Sequence, residues 1–130
     1  MNRVEIRTED VGDGIHVVRV TGKLDVFSYA TLKDFLQSHW AMLQGARVVV
    51  DLSEVSYIAS SGWSVMLSRR RMLKLVGGDL VICGLNADCK RVYDAMKIMT
   101  LLPSADDLDG AVKILSSGVP AGDGKGSGVL

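Results

Sequence analysis

The sequence lacks an excess of charge of either sign, long apolar runs and a dense set of aromatic residues. Its 130 residues include fifteen Lys and Arg against fifteen Asp and Glu, so the formal net charge is zero. This balance argues against binding nucleic acid or an anionic membrane through a basic surface, and seven aromatic residues are few for a base-stacking platform. No apolar run approaches the ~20 residues that cross a bilayer, and the charged start resembles no signal peptide. We therefore expect a cytoplasmic protein without direct nucleic-acid contacts or membrane insertion.

Cysteine and histidine are also scarce, with two of each. Cys83 and Cys89 are separated by five residues, which matches neither a CxxC redox motif nor a zinc half-site. With only His16 and His39 besides, a four-ligand thiolate and imidazole site has no obvious construction. We expect two buried reduced thiols, no metal site and no cofactor.

Apolar residues make up 48% of the chain, enough for one hydrophobic core. Regular apolar periodicity continues to about Leu115, and a glycine-rich segment follows it. We predict one folded domain over residues 1–115 and a disordered glycine-rich tail over residues 116–130, which cannot bury enough surface to offset its ordering entropy.

Within the domain, apolar periodicity and turn residues predict strands that alternate with helices. Strands are expected at Val4–Thr8, Ile15–Thr21, Val48–Val50, Leu80–Cys83 and Met99–Leu102. Helices are expected around Leu32–Leu43, over Ser61–Val76 before Gly77-Gly78, after an Asn86 cap, and after Asp106-Asp107. This alternation predicts an α/β domain with a mixed, mostly parallel sheet of four to five strands and about four helices.

Each predicted helix carries an apolar face that we expect to be buried. In the first helix the face comprises Leu32, Phe35, Leu36, His39 and Leu43. In the second helix it comprises Val65, Met66, Met72, Leu73 and Val76, with Arg69 inside the same arc. In the third helix it comprises Cys89, Val92, Tyr93 and Met96, and in the last helix Leu108, Ala111, Val112 and Leu115.

The segment around Ser60-Ser61-Gly62 carries the most information about function. We expect a buried strand to end at Asp51, a short loop to follow, and the two serines to begin the next helix. A helix N-terminus presents free N–H groups and partial positive charge, so it stabilises an anion such as a phosphate on Ser60. The alternative is that the serines only cap the helix. Catalysis by a serine nucleophile is disfavoured, because the segment beginning at Gly62 lacks the second glycine of a G-x-S-x-G elbow.

Four separated motifs resemble the STAS domain family, in the branch of the bacterial anti-sigma-factor antagonists. In chain order they are Gly22-Lys23-Leu24-Asp25, Val48-Val49-Val50-Asp51-Leu52-Ser53, Ser60-Ser61-Gly62 and Gly77-Gly78-Asp79-Leu80-Val81. The resemblance covers roughly residues 4 to 115. It implies the α/β fold already expected and a binding protein without catalytic residues of its own.

The resemblance also implies a partner switch. In such proteins the unphosphorylated antagonist binds an anti-sigma factor that is a serine kinase of the histidine-kinase-like ATPase type. Phosphorylation of one serine at the start of the second helix ends that binding, and a serine phosphatase restores it. The matching serine is Ser60, with Ser61 as second choice, and Asp25 matches an acidic residue found near it.

Helical spacing adds a stripe of residues to the expected partner surface. Trp63, Leu67, Arg70 and Lys74 lie roughly 100–160° from the centre of the apolar arc of the second helix. Since tryptophan and arginine often anchor interfaces, we expect this stripe to contact the partner together with Asp25, Ser60, Ser61 and Gly62. The alternative is that Trp63 belongs to the core and that the arginines around Arg70 are a solvated helix end.

The chain departs from the family pattern beside the expected phosphoacceptor. The family usually has aspartate before the phosphorylated serine, where this chain has Ala59. Trp63 replaces a favoured leucine, and Ser64 replaces a common glycine. These departures keep a second function open, that of a constitutive STAS scaffold or accessory subunit of a regulatory or transporter complex, without phosphorylation.

Overall fold

The computed structural model describes residues 4–40 and 45–117, which form five strands, four α-helices and one 3₁₀ helix. The strands are β1 (Glu5–Asp10), β2 (Ile15–Leu24), β3 (Arg47–Ile58), β4 (Asp79–Cys83) and β5 (Ser104–Ala105). The α-helices are α1 (Tyr29–Trp40), α2 (Ser60–Leu75), α3 (Ala87–Ala95) and α4 (Leu108–Ser117), and the 3₁₀ helix covers Ile98–Thr100.

The five strands form one sheet in the order in which they occur along the chain. β1 pairs with β2 antiparallel, and every later neighbour is parallel. The β1–β2 hairpin is closed by Gly12, Asp13 and Gly14, which all have positive φ, and by the Val11 N–H, which donates to the Ile15 carbonyl at 3.1 Å. The predicted α/β fold with a mixed, mostly parallel sheet is confirmed.

The two faces of the sheet are covered by different helices. On one face Leu32 and Leu36 of α1, Met66 of α2 and Tyr93 of α3 pack over the large core that contains Val50. On the other face Ala111 and Leu115 of α4 cover a smaller core of strand residues. The central strands are therefore buried on both sides, as the unbroken apolar run at residues 48–50 predicts.

The helices bury narrower faces than the periodicity predicts. His39 on α1 and Met72 on α2 are exposed, and so are Val92 and Met96 on α3, which buries only Cys89 and Tyr93. Half of the apolar face predicted for this helix therefore meets solvent. Leu43, the last position of the first predicted face, lies outside the described residues.

Three strand predictions are wrong. β2 does not end at Thr21 but continues to Leu24. β3 does not end at Asp51 but continues to Ile58, because it keeps pairing with β2 past two register irregularities. Its outer half carries exposed polar side chains, which made it resemble a loop. The strand predicted at Met99–Leu102 is instead a 3₁₀ turn, and pairing with β4 begins only after Pro103, whose carbonyl accepts from the Ile82 N–H at 3.0 Å.

The last helix ends close to the predicted boundary of the domain, and both cysteines lie in the core. α4 runs to Ser117, so residues 116 and 117 of the predicted tail are helical, and residues 118–130 lie outside the described residues. Cys83 and Cys89 are both free and buried, as expected. Burial, followed by the nearby Asp51 carboxylate, raises the pKa of Cys83 to about 12, so this thiol is an unreactive core group at neutral pH.

Candidate functional site

The site lies where the parallel strands β2 and β3 end beside each other. Leu24 and Ile58 are paired in the register, and the Ala59 N–H donates to the Leu24 carbonyl at 2.7 Å. The residues that follow these two strands, Asp25 and Ser60, are therefore brought to the same edge of the sheet. Open α/β sheets commonly place ligand and partner sites at this edge.

Ser60 is the first residue of α2, one position earlier than the sequence predicts, and it is exposed. The N-cap is Ala59, in extended conformation and with no side-chain cap hydrogen bond. The interpretation of the serines as simple N-caps is therefore wrong for Ser60, which lies inside the helix. The Gly62 and Trp63 N–H groups donate to the Ala59 carbonyl at 2.9 and 3.1 Å, which leaves the N–H groups of Ser60 and Ser61 to solvent or to another molecule at the positive end of the helix dipole.

Asp25 opens the loop between β2 and α1 and shapes it with its carboxylate. Its Oδ1 accepts from the N–H groups of Phe27 and Ser28 at 3.0 and 3.1 Å, and the Ser28 hydroxyl lies 3.0 Å from the same oxygen. Desolvation raises the pKa of Asp25, but these hydrogen bonds outweigh it, so the pKa lies below its ordinary value. Asp25 is thus a fixed negative charge at the edge where Ser60 lies.

Ser61 and Gly62 lie on the inner side of the first turn of α2. The Ser61 hydroxyl oxygen is buried and has no hydrogen-bond partner in the described part of the chain. Gly62 is buried, and a Cβ there would lie 3.0 Å from the Leu24 Cβ and 3.1 Å from the Ile58 Cγ2. This close approach of α2 to the strand ends favours glycine, so Gly62 holds the first turn of α2 against the ends of β2 and β3.

Trp63 belongs to the core, which is the alternative that the sequence analysis left open. Trp63 is only 4% exposed, and its ring lies against Tyr93 of α3 with 6.0 Å between centroids. Burial raises the pKa of Tyr93 to about 12, and its hydroxyl donates to the Leu102 carbonyl at 2.6 Å. Because α2 packs against α3 as well as the sheet, its buried arc is wider than one stripe and includes Trp63.

The rest of the predicted stripe, Leu67, Arg70 and Lys74, lines a separate groove with Arg71 and Leu101, of about 210 Å³. Arg70 is held within the chain, since its Nε donates to Asp79 Oδ1 at 2.8 Å and its Nη1 to the Leu101 carbonyl at 2.9 Å. Lys74 Nζ lies 3.8 Å from the other oxygen of Asp79. Arg70 and Lys74 therefore tie the C-terminal half of α2 to Asp79 at the start of β4.

Two apolar residues that the sequence analysis missed stand beside Asp25. Val26 is 62% exposed and Phe27 is 90% exposed, at the tip of the β2–α1 loop. Contact between an aromatic side chain and water is unfavourable, so an aromatic residue this exposed indicates a binding surface. A detectable signal was present, namely two apolar residues directly after a turn-forming Asp and outside any periodic segment.

The described residues contain no group of three or more side chains suited to hold a metal ion. Among the same residues, no helix is both long enough and apolar enough to cross a membrane.

Comparison with protein families and curated proteins gives consistent matches. The STAS domain model matches residues 8–111. The chain is 31% identical over 74 residues to BtrV of Bordetella bronchiseptica, a match that covers 57% of this chain and 64% of that protein. It is 24% identical over 94 residues to the anti-sigma F factor antagonist of Paenibacillus polymyxa, covering 72% of this chain and 80% of that protein.

Solved structures agree with the fold. An anti-sigma factor antagonist from Mycobacterium paratuberculosis superposes with a TM-score of 0.76 at 22% identity, covering 87% of this chain and 94% of that one. The anti-sigma factor antagonist SpoIIAA in its unphosphorylated form superposes with a TM-score of 0.69 at 20% identity, covering 88% and 98%. At these identities the likeness is one of fold.

Proposed function

Because the chain belongs to the STAS domain family, we propose that it is an anti-sigma factor antagonist whose Ser60 hydroxyl accepts a regulatory phosphate. In the proposed cycle the unphosphorylated chain binds an anti-sigma factor that is also a serine kinase of the histidine-kinase-like ATPase type. Phosphorylation of Ser60 releases that partner, and a serine phosphatase restores binding. The names of curated relatives support the antagonist role, and a SpoIIAA structure in a phosphorylated form supports a phosphorylated state.

The observation that carries the proposal is the exposed Ser60 hydroxyl on an uncapped helix N-terminus. Ala59 offers no side-chain oxygen to the first N–H groups of α2, and the first turn contains no acidic residue. A phosphate on Ser60 adds about −1.5 to −2 charges where free N–H groups and the helix dipole favour an anion. The modified state is therefore stabilised locally by the fold itself.

Accessibility favours Ser60 over Ser61 as the phosphoacceptor. Ser60 is exposed, whereas the Ser61 oxygen is buried in the first turn of α2. A kinase needs the attacking hydroxyl in line with the γ-phosphate, and a buried oxygen cannot reach that position without unwinding the turn.

The surroundings of Ser60 explain how a phosphate would end binding. Val26 and Phe27 offer apolar surface at the same sheet edge, and Asp25 adds a negative charge. A phosphate placed in an interface that covers apolar side chains is desolvated, and Asp25 repels it. We therefore expect Asp25, Val26, Phe27 and Ser60 to form the centre of the interface, with Trp63 and Gly62 supporting it from within and Leu67, Arg70 and Lys74 at its far end.

The test is phosphorylation by the anti-sigma factor kinase of the same genome with ATP, read by mass spectrometry on wild type, Ser60→Ala and Ser61→Ala. We expect one phosphate on wild type and on Ser61→Ala, and none on Ser60→Ala, which should still bind the kinase. Phosphate on Ser61 would overturn the residue assignment. Stable binding with no phosphate on any variant would instead favour the constitutive scaffold, the function that Ala59 keeps open.

A further inference from the structure

Arg69 is a buried cation without a counter-charge in the described part of the chain. It lies in the third turn of α2 and is 8% exposed, yet no hydrogen bond or ion pair joins it to any described residue. Its nitrogens are not among the fully buried polar atoms that lack a partner, so the guanidinium keeps contact with solvent while its aliphatic stem is covered. Arg69 therefore presents an unpaired charge at the end of a largely buried side chain.

The neighbouring cations do not share this property. Arg70 and Lys74 both face the carboxylate of Asp79, at 2.8 and 3.8 Å. Arg71 is exposed, so that water solvates its charge. Among the α2 cations, Arg69 thus combines a largely buried side chain with a charge that no described carboxylate pairs.

Arg69 lines a polar groove between α1 and α2 with a volume of about 230 Å³. Five of its lining side chains are hydrogen-bond donors, and none of the described ones is a carboxylate; they are Lys33, Gln37, Ser64, Ser68 and Arg69, with Val65 as the apolar member. Two of them are cationic, and the hydroxyls of Ser64 and Ser68 are four residues apart on one side of α2.

We propose that this α1–α2 groove binds the phosphate group of a small phosphorylated molecule, with Arg69 as its main ligand. A guanidinium presents a planar pair of donors that matches an oxyanion, and a second cation with hydroxyl and amide donors suits a tetrahedral anion better than the two oxygens of a carboxylate. The volume accommodates a phosphate and a small substituent. The site goes beyond the proposed function, because it uses neither Ser60 nor a kinase.

The binding test uses the isolated full chain and isothermal titration calorimetry with inorganic phosphate, ribose 5-phosphate and acetate at one fixed ionic strength. A fixed ionic strength keeps general screening equal among the three anions. We expect phosphate to bind with a dissociation constant of about 1 mM and acetate not to bind measurably. Tighter binding of ribose 5-phosphate than of phosphate would assign the site to phosphorylated molecules, and equal binding would assign it to free phosphate.

The residue assignment is tested with Arg69→Met against Arg71→Met as the matched control on the same helix. Arg69→Met should weaken phosphate binding at least about tenfold, whereas Arg71→Met should change it less than about twofold. Equal loss in both variants, or no phosphate binding by wild type at 20 mM, would overturn the proposal.

Thermal unfolding keeps the test informative if affinities are weak. Without phosphate, Arg69→Met should melt close to the wild-type temperature, because it removes no ion pair or hydrogen bond and replaces one long side chain by another. Added phosphate should raise the Tm of wild type and of Arg71→Met but not that of Arg69→Met. A phosphate-induced rise of the same size in Arg69→Met would contradict the site.

Discussion

At its C-terminal end, α2 is closed by contacts from its own chain, whereas at its N-terminal end it stays open. Gly77 takes a φ of +85°, the Gly78 N–H donates to the Leu73 carbonyl at 2.8 Å, and Asp79 holds Arg70. The other end begins at Ala59, which offers no cap, and exposes Ser60. The C-terminal end of α2 is therefore stabilised by contacts within the chain, while the N-terminal end keeps N–H groups available to a phosphate.

The largest expected effect comes from breaking the closed end with Gly78→Ala. A Cβ at this position would lie 2.0 Å from the Ala46 carbonyl oxygen, which is backbone and must shift. We expect a loss of about 3 kcal/mol in the free energy of unfolding, measured by urea denaturation. Gly12→Ala is the control, since its Cβ meets nothing within 4 Å and only the positive φ is strained, at a cost of about 1 kcal/mol. Equal losses would show that the close approach to Ala46 is not limiting.

The next effect concerns the ion pairs of the closed end. Asp79→Asn removes the charge that Arg70 and Lys74 share, and we expect a loss of about 1 to 2 kcal/mol, less than for a fully buried pair because all three side chains are partly solvated. The control is Asp88→Asn, whose 2.9 Å pair with Arg91 lies on the surface and should contribute less than about 0.5 kcal/mol. Urea unfolding at low and high salt measures both. A loss no larger than that of the control would contradict the stabilising role of Asp79.

A smaller effect is expected from closing the open end with Ala59→Asp. An Asp side chain at the N-cap accepts an N–H of the first turn and faces the positive helix end, so stability should rise by about 1 kcal/mol. The matched opposite change is Asn86→Ala on α3, where the native side chain accepts from the Cys89 N–H at 2.8 Å and its loss should cost about 1 kcal/mol or more. No gain from Ala59→Asp would mean that the N–H groups of the first turn of α2 already have hydrogen-bond partners.

The smallest expected effect is the pH dependence contributed by Asp25. Its pKa is lowered in the folded chain, so its stabilising contribution is present above the unfolded-state pKa of about 3.9 and is lost as the pH falls through the folded value. Asp25→Asn keeps an oxygen acceptor but removes the charge. The urea midpoints of wild type and variant should therefore differ at pH 6 and converge towards pH 2. A constant difference would contradict the lowered pKa.

Local signals predicted the frame of the site from the sequence. The serines before Gly62, the Gly77-Gly78 stop and the Asn86 cap each act through a few neighbouring residues, and the structure has α2 and α3 within about one residue of those signals. The alternation of strands and helices predicted a mostly parallel sheet, but not that β2 and β3 continue to Leu24 and Ile58, where they bring Asp25 and Ser60 to the same edge.

Contacts between distant elements could not be predicted in this way. Trp63 is buried because α3 places Tyr93 against it, and a helical wheel of α2 alone contains no information about that neighbour. Phe27 lies in a loop, where apolar residues have no periodicity to interpret. Arg69 was expected inside the buried arc, but its lack of a counter-charge emerges only when the surroundings of every α2 cation are known.

The most direct test of the open N-terminal end is the affinity of the anti-sigma factor kinase for the unphosphorylated chain and for the chain phosphorylated on Ser60, measured by calorimetry. Ser60→Ala serves as the control that cannot be modified. We expect the phosphorylated chain to bind at least about tenfold more weakly, while Ser60→Ala binds like the unphosphorylated wild type. Equal affinity of the phosphorylated and unphosphorylated chains would contradict the proposal that a phosphate on Ser60 ends partner binding.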